Sequence, residues 1–138
     1  MNRRKQRELV FLLLFERLFT GYSLEELKKI KLLTEEFAPE DFTEFVAEYF
    51  HGVIEKAPEL DVLIEKFSLK WGKDRLSKIA LVILRLAVYE MLYREEIPTS
   101  VAINEAVELS KKYGDEKESA FINGILGGVS RRAENADE

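Results

Sequence analysis

The spacing of hydrophobic residues is helical along almost the whole chain. Apolar residues recur every three or four positions, and no segment alternates apolar and polar residues as a half-buried strand does. We therefore predict an all-α protein of about seven helices. The clearest stripe follows Pro39 and contains Phe42, Phe45, Val46, Tyr49, Val53 and Ile54.

Local start and stop signals divide this pattern into helices. The first helix is predicted from about 4 to 19, with Gly21 as its stop, and Ser23 with Glu26 forms an S-x-x-E capping box for the second. Pro39 and Pro58 each predict the start of a further helix, the third and the fourth. The fifth helix, from about 74 to 93, is apolar nearly all round in its later part and must therefore be covered by neighbours.

Two more helices follow Pro98. Thr99 or Ser100 can cap the sixth helix, and Gly114 is predicted to end it in the left-handed conformation. Asp115 followed by Glu118 resembles a capping box for the seventh. The side chains expected to be buried in the sixth are Ala102, Ile103, Ala106, Val107 and Tyr113.

Three glycines fall within or at the end of the seventh predicted helix, at positions 124, 127 and 128. The pair Asn123-Gly124 is a hairpin signal in other contexts, but the flanking apolar residues keep helical spacing. Each glycine costs a helix about 1 kcal/mol relative to alanine. We therefore expect close approach of another backbone, or of a ligand, to compensate.

Length and composition indicate a small globular protein. The 138 residues are 46% hydrophobic and 34% charged, without cysteine, which excludes disulfides and thiol chemistry. We predict one domain with an N-terminal helical part at about 1–57, a C-terminal part at about 58–132 and an acidic tail at 133–138.

The N-terminus superficially resembles a secretory signal, because an apolar run follows a basic segment. Glu8 and Glu16 flank that run, however, and no small-residue cleavage site follows it, so we expect a cytoplasmic protein. The apolar run at 79–93 is too short for a membrane span of about 20 residues.

The charge distribution is uneven. The net charge is −5, yet four cations precede the first acid, Glu8. These cations are Arg3, Arg4, Lys5 and Arg7. Local positive potential on an acidic body suits one focused anionic partner better than general coating by nucleic acid, although charge alone favours a solvated, frayed terminus.

No residue pattern indicates catalysis. His51 is the only histidine and falls opposite the apolar stripe of its helix, where we expect it to be solvated. The pair Gly72-Lys73 lacks the rest of a phosphate-binding loop, and the acidic pairs lack calcium-loop spacing. We therefore predict that the protein is not an enzyme and has no metal site or cofactor.

Three blocks identify a family resemblance. The segments ILRLAVYEMLY (83–93), AINEAVELSKKYG (102–114) and FINGIL (121–126), together with RRKQR at 3–7, resemble the NusB family of transcription antitermination factors. The resemblance implies two small helical bundles packed into one body. It also implies an RNA-binding adaptor that recognises boxA-like single-stranded RNA of ribosomal RNA operons with NusE, a small-subunit ribosomal protein. Such an adaptor prevents premature termination and reaches the RNA polymerase elongation complex indirectly.

The resemblance also assigns roles to residues. Arg3, Arg4, Lys5 and Arg7 correspond to the basic RNA-contacting segment. The second RNA-proximal element comprises Lys117, Glu118, Ser119 and Phe121, the last as a base-stacking ring. Ala80 corresponds to a NusE-contacting position. Two departures matter, because Ala80 replaces a common acid and Ala120 replaces a common lysine.

Several alternatives stay open at this point. Phe121 could be an ordinary core residue, and Trp71 is best assigned a structural role because nothing places it beside the cations. The runner-up function is a helical protein–protein scaffold without RNA, and an unrecognised enzyme is a third class. The sequence does not distinguish a monomer from a homodimer.

Overall fold

The computed structural model describes residues 2–72 and 76–136, with side chains as far as residue 132. This part of the chain is all helical, which confirms the predicted fold class. It contains six α-helices and one short 3₁₀ helix. They are α1 (Arg3–Thr20), α2 (Leu24–Lys31), the 3₁₀ helix (Pro39–Asp41), α3 (Glu44–Lys70), α4 (Lys78–Tyr93), α5 (Thr99–Tyr113) and α6 (Glu116–Ala136). None of these helices combines the length and apolarity that a membrane crossing requires.

The predicted third and fourth helices form one continuous helix, α3. Pro39 begins only the 3₁₀ turn, and Pro58 lies inside α3 rather than at a helix start. An internal proline removes one backbone hydrogen bond and costs about 3 kcal/mol or more. Burial of Val53 and Leu60 on either side of Pro58 offsets that cost. The predicted fifth helix starts at Asp74, outside the described residues, and the observed helix is capped by Ser77.

The chain forms two compact units, Met1–Ile54 and Glu55–Glu138. The boundary falls within α3, between Ile54 and Glu55, whereas the sequence suggests Ala57 and Pro58. In the first unit, the α1 side chains Leu9, Val10 and Leu13 are completely buried. An ion pair between Glu16 and Lys31 joins α1 to α2.

Both predicted signals between α1 and α2 are confirmed. Gly21 has φ 71° and donates its N–H to the Arg17 carbonyl, which ends α1 in the left-handed conformation. Ser23 and Glu26 form the reciprocal capping box of α2. Its two hydrogen bonds join Glu26 N–H to Ser23 Oγ at 3.2 Å and Ser23 N–H to Glu26 Oε1 at 3.0 Å.

In the second unit, α4 is the central helix and contacts both α5 and α6. Its buried residues occupy almost every side of the helix, as its apolar sequence predicts. They are Ala80, Val82, Ile83, Leu84, Leu86, Ala87, Val88, Tyr89 and Glu90. Arg85 on α4 donates two hydrogen bonds, of 2.8 and 2.7 Å, to the Asp61 carboxylate on α3.

The ends of α5 differ from prediction. Pro98 is the N-cap, without a side-chain cap from Thr99 or Ser100. Gly114 has φ −111°, so the predicted left-handed stop is wrong. A Cβ at Gly114 would lie 3.1 Å from the Ser110 carbonyl oxygen, so crowding rather than a left-handed turn accounts for a glycine there.

Candidate nucleic-acid interface

The N-terminal cationic cluster (Arg3, Arg4, Lys5 and Arg7) occupies the first turns of α1. The cap residue Asn2 starts the helix by accepting a 2.8 Å hydrogen bond from the Lys5 N–H at its Oδ1. The first turn contains no acidic residue. Because the positive end of a helix dipole favours acids, these cations weaken α1 locally, and a bound anion would relieve that repulsion.

The members of the cluster differ in accessibility. Arg3, Arg4 and Lys5 are exposed, whereas Arg7 is buried, with only 6% of its surface accessible to solvent. The Arg7 guanidinium carbon lies 6.0 Å from the centre of the Phe45 ring. Arg7 therefore contributes to packing, and its predicted role as a direct phosphate contact is not supported by its burial.

Arg3 is exposed and held in place. Its guanidinium carbon lies 4.2 Å from the centre of the Phe45 ring, and its Nη1 donates a 3.1 Å hydrogen bond to Gln6 Oε1. The Thr43 hydroxyl donates to the same oxygen at 2.7 Å, so the partners of Arg3 are themselves fixed. Lys5 lies beside a second aromatic ring, with Nζ 5.6 Å from the centre of Phe37. The first unit thus presents cations on an aromatic support.

The second predicted element, Lys117–Phe121, forms the first turns of α6 in the other unit. Asp115 caps α6 by accepting a 2.8 Å hydrogen bond from the Lys117 N–H, as predicted. Glu118 does not match the predicted box, because its Oε2 accepts from the Ser77 hydroxyl. Ser119 Oγ donates to Ser110 Oγ at 3.0 Å. Among the predicted contacts here, only the Lys117 side chain is exposed.

Phe121 lies in the core. Its side chain is 6% exposed, next to the completely buried Ile122. This burial favours the core alternative, and the base-stacking role that the resemblance implies stays a prediction. The sequence could not decide this, because an aromatic residue on an apolar stripe has the same pattern in both roles.

An open groove of about 850 Å³ lies beside this turn, between α5 and α6. Lys117, Ser119 and Ala120 line it from α6. Its lining also includes Asn104, Lys111 and Asn123, which the sequence does not identify as candidate functional residues. In the sequence, each of these three residues is a polar residue next to the apolar stripe of its helix. Most surface residues of a helix share that position, so the sequence does not distinguish a groove from ordinary surface.

Ala80 is completely buried, with 0% of its surface exposed. It lies in the first turn of α4, where its N–H donates a 3.0 Å hydrogen bond to the capping Ser77 hydroxyl. A side chain without accessible surface cannot contact a second protein, so the predicted direct NusE contact at Ala80 is not supported. Ser77 and Lys78 are the exposed residues of this turn.

Glu26 and Tyr93 have shifted pKa values. Hydrogen bonds from the Ser23 backbone and hydroxyl lower the pKa of Glu26, and a hydrogen bond to Glu59 raises the pKa of Tyr93. Both causes are local, and neither group belongs to a predicted RNA-contacting element. Within residues 2–72 and 76–132, no group of three or more metal-ligating side chains could hold a metal ion.

Comparison with known proteins gives a single family. The NusB family model matches residues 4–131. The chain is 46% identical over 142 aligned residues to the transcription antitermination protein NusB of Carboxydothermus hydrogenoformans, covering 100% of this chain and 96% of that protein. That relative is named as an antitermination protein, in agreement with the prediction that the chain is not an enzyme.

Solved structures agree with this assignment. NusB of T. maritima is 35% identical and superimposes with a TM-score of 0.80, covering 95% of this chain and 92% of that one. A structure of antitermination factors NusB and NusE in complex with double-stranded RNA matches at 28% identity and a TM-score of 0.78, covering 96% and 99% of the two chains. This chain belongs to the NusB family.

Proposed function

We propose that this protein is a cytoplasmic RNA-binding adaptor for transcription antitermination. It binds boxA-like single-stranded RNA together with NusE and acts on the elongation complex through that assembly. The main support for RNA binding is the group of exposed cations at the start of α1, Arg3, Arg4 and Lys5. At a helix N-terminus the helix dipole favours acidic residues, so these cations lower the stability of the helix. Residues that oppose the local stability of a helix are expected at functional sites, where binding rather than stability explains their presence.

The geometry of the cluster suits a flexible RNA strand. Backbone N–H groups at the start of α1 and the exposed side chains all attract phosphates. Arg3 is held by Phe45 and Gln6, so binding loses less side-chain entropy than with an unrestrained arginine. Its planar guanidinium can pair with a phosphate or stack on a base.

For NusE, we propose that the exposed surface around the first turn of α4 is the contact region. The exposed residues of this surface are Ser77 and Lys78, and Ala80 is buried beneath them. The proposal draws on the solved complex of NusB and NusE with RNA. A small buried residue at position 80 is compatible with an interface that its neighbours form.

The test is the affinity of the protein for labelled boxA-like RNA and for a scrambled control, measured with and without NusE at several salt concentrations. We expect a preference for boxA-like RNA that increases when NusE is present. The three exposed cations of the N-terminal cluster are expected to contribute about −2 to the log–log salt slope, at roughly −0.7 per phosphate. Binding of NusE without any RNA binding would instead support the scaffold function.

A further inference from the structure

Trp71 follows α3 and is the only tryptophan of the chain, with 52% of its surface exposed. Its indole lies directly against α6 at Gly124. A Cβ at Gly124 would meet Trp71 Cζ2 at 2.0 Å and Cε2 at 2.3 Å, so only glycine leaves room for the ring. The backbone of α6 therefore supports one part of the indole, while much of the rest faces solvent.

Trp71 lines a pocket of about 350 Å³ between the end of α3 and the later part of α6. Four lining side chains are cationic and exposed, and no acidic side chain of the described residues lines the pocket. These cations are Lys66, Lys70, Arg131 and Arg132. Together with Trp71 we call them the Trp71 platform.

The platform is built on a second close approach. Phe67 packs over Gly128, where a Cβ would lie 2.6 Å from Phe67 Cδ1. The Nζ atoms of Lys66 and Lys70 lie 5.6 and 5.0 Å from the centre of the Phe67 ring. The predicted compensation at these glycines is therefore contact with aromatic side chains, not with another backbone.

An exposed aromatic ring beside clustered cations has the chemistry that single-stranded nucleic acids require. Bases stack on aromatic rings with little regard to sequence, and cations neutralise the flanking phosphates. A net charge of −5 makes this local positive potential more distinctive. An acidic peptide would use the cations but leave the indole surface without a matching partner.

We propose that the Trp71 platform binds a segment of single-stranded nucleic acid, with one base stacked on the indole and adjacent phosphates paired with the cations. The proposal rests on the proposed RNA-binding function and extends it to a contact region in the Glu55–Glu138 unit. Recognition at this platform is by stacking and charge, so it tolerates any base sequence.

Because Trp71 is the only tryptophan, tryptophan emission, excited at a wavelength that tyrosine does not absorb, reports on this platform alone. The first experiment titrates the full chain with oligouridine and follows tryptophan emission. We expect saturable quenching. In R131Q/R132Q, the half-saturation concentration should rise about 10- to 30-fold at 0.1 M salt, since two phosphate contacts are lost. The matched control K28Q/K29Q removes the same charge from α2 and should leave quenching unchanged.

The second experiment separates stacking from charge, using anisotropy of labelled oligouridine. W71F retains an aromatic ring and should bind within about twofold of the unmodified protein, whereas W71L should bind at least about fivefold more weakly. Circular dichroism checks that both variants fold. Absence of quenching, equal quenching by polyglutamate, or equal affinity of W71F and W71L would each overturn the proposal.

The two functional proposals fail in different ways. Loss of preference for boxA-like over scrambled RNA contradicts the antitermination function, whatever happens to tryptophan emission. Retained boxA preference without any change in Trp71 emission contradicts the platform alone.

Discussion

The N-termini of α1 and α6 correspond to the two RNA-contacting elements that the NusB resemblance implies, yet their charges are opposite. The first turn of α1 has cations and no acid, whereas α6 begins with the cap Asp115 followed by Glu116 and Glu118. Acids suit the positive end of a helix dipole and cations do not. The start of α6 thus follows the rules of helix stability, and the start of α1 violates them.

The two helix N-termini also differ in how far their polar side chains remain available to a ligand. On α6, Glu118 and Ser119 are bonded to Ser77 and Ser110, and Phe121 is buried. On α1, Arg3 is held by protein contacts and still exposed. Cations kept against a local electrostatic cost therefore predict a binding surface at the start of α1, and the start of α6 lacks this signal. We therefore expect the N-terminus of α1 to attract RNA more strongly than the N-terminus of α6 does.

The largest expected effect is on stability, from Phe121→Ala. Truncating a buried phenylalanine should lower the free energy of unfolding by about 3–5 kcal/mol, through lost burial and the cavity left behind. Urea denaturation measures this change. If the folded variant instead lost affinity for boxA-like RNA selectively at unchanged stability, Phe121 would be a base-stacking residue after all.

The next effect is on RNA binding, from R3Q/R4Q/K5Q. The magnitude of the log–log salt slope should fall by about 2, because three cations no longer neutralise phosphates. Anisotropy at several salt concentrations measures the slope, and urea denaturation verifies folding. The variant K28Q/K29Q should keep the original slope. A slope that falls equally in both variants would show that general charge, not the α1 N-terminus, attracts RNA.

A smaller effect concerns the two caps. Asn2→Ala and Asp115→Ala each remove a side-chain acceptor from a helix N-terminus and should each lower stability by about 0.5–2 kcal/mol. Only the Asn2 change should also weaken RNA binding, because it frays the turn that presents the cluster. Urea denaturation and RNA affinity are measured for both variants. If both N-termini contacted RNA equally, Asn2→Ala and Asp115→Ala would weaken RNA binding to the same extent.

The smallest effect is expected at the exposed positions in the first turns of α6. Lys117→Gln should flatten the salt slope by at most about 0.7, and Ala120→Lys should steepen it by no more than the same amount, since each changes one charge. The same salt series measures both variants. Changes as large as those of R3Q/R4Q/K5Q would place the main RNA contact on α6 and reverse the comparison.

The sequence by itself determined the helical class and several helix ends. The spacing of apolar residues predicts the α-helices, and Gly21, Ser23 with Glu26, and Asp115 predict ends that the structure has. These signals succeed because a cap or a left-handed stop involves atoms only a few residues apart. The cationic cluster is equally visible, since its four residues lie within a stretch of five positions.

Tertiary structure decided the features that depend on distant neighbours. Pro58 remains inside α3, and the apolar residues Ala80 and Phe121 are buried. Conversely, the sequence places Lys66 and Lys70 near Trp71, but only folding brings Arg131 and Arg132 to the same pocket. Burial and pocket formation are sums over residues far apart in the chain, so local sequence pattern cannot specify them.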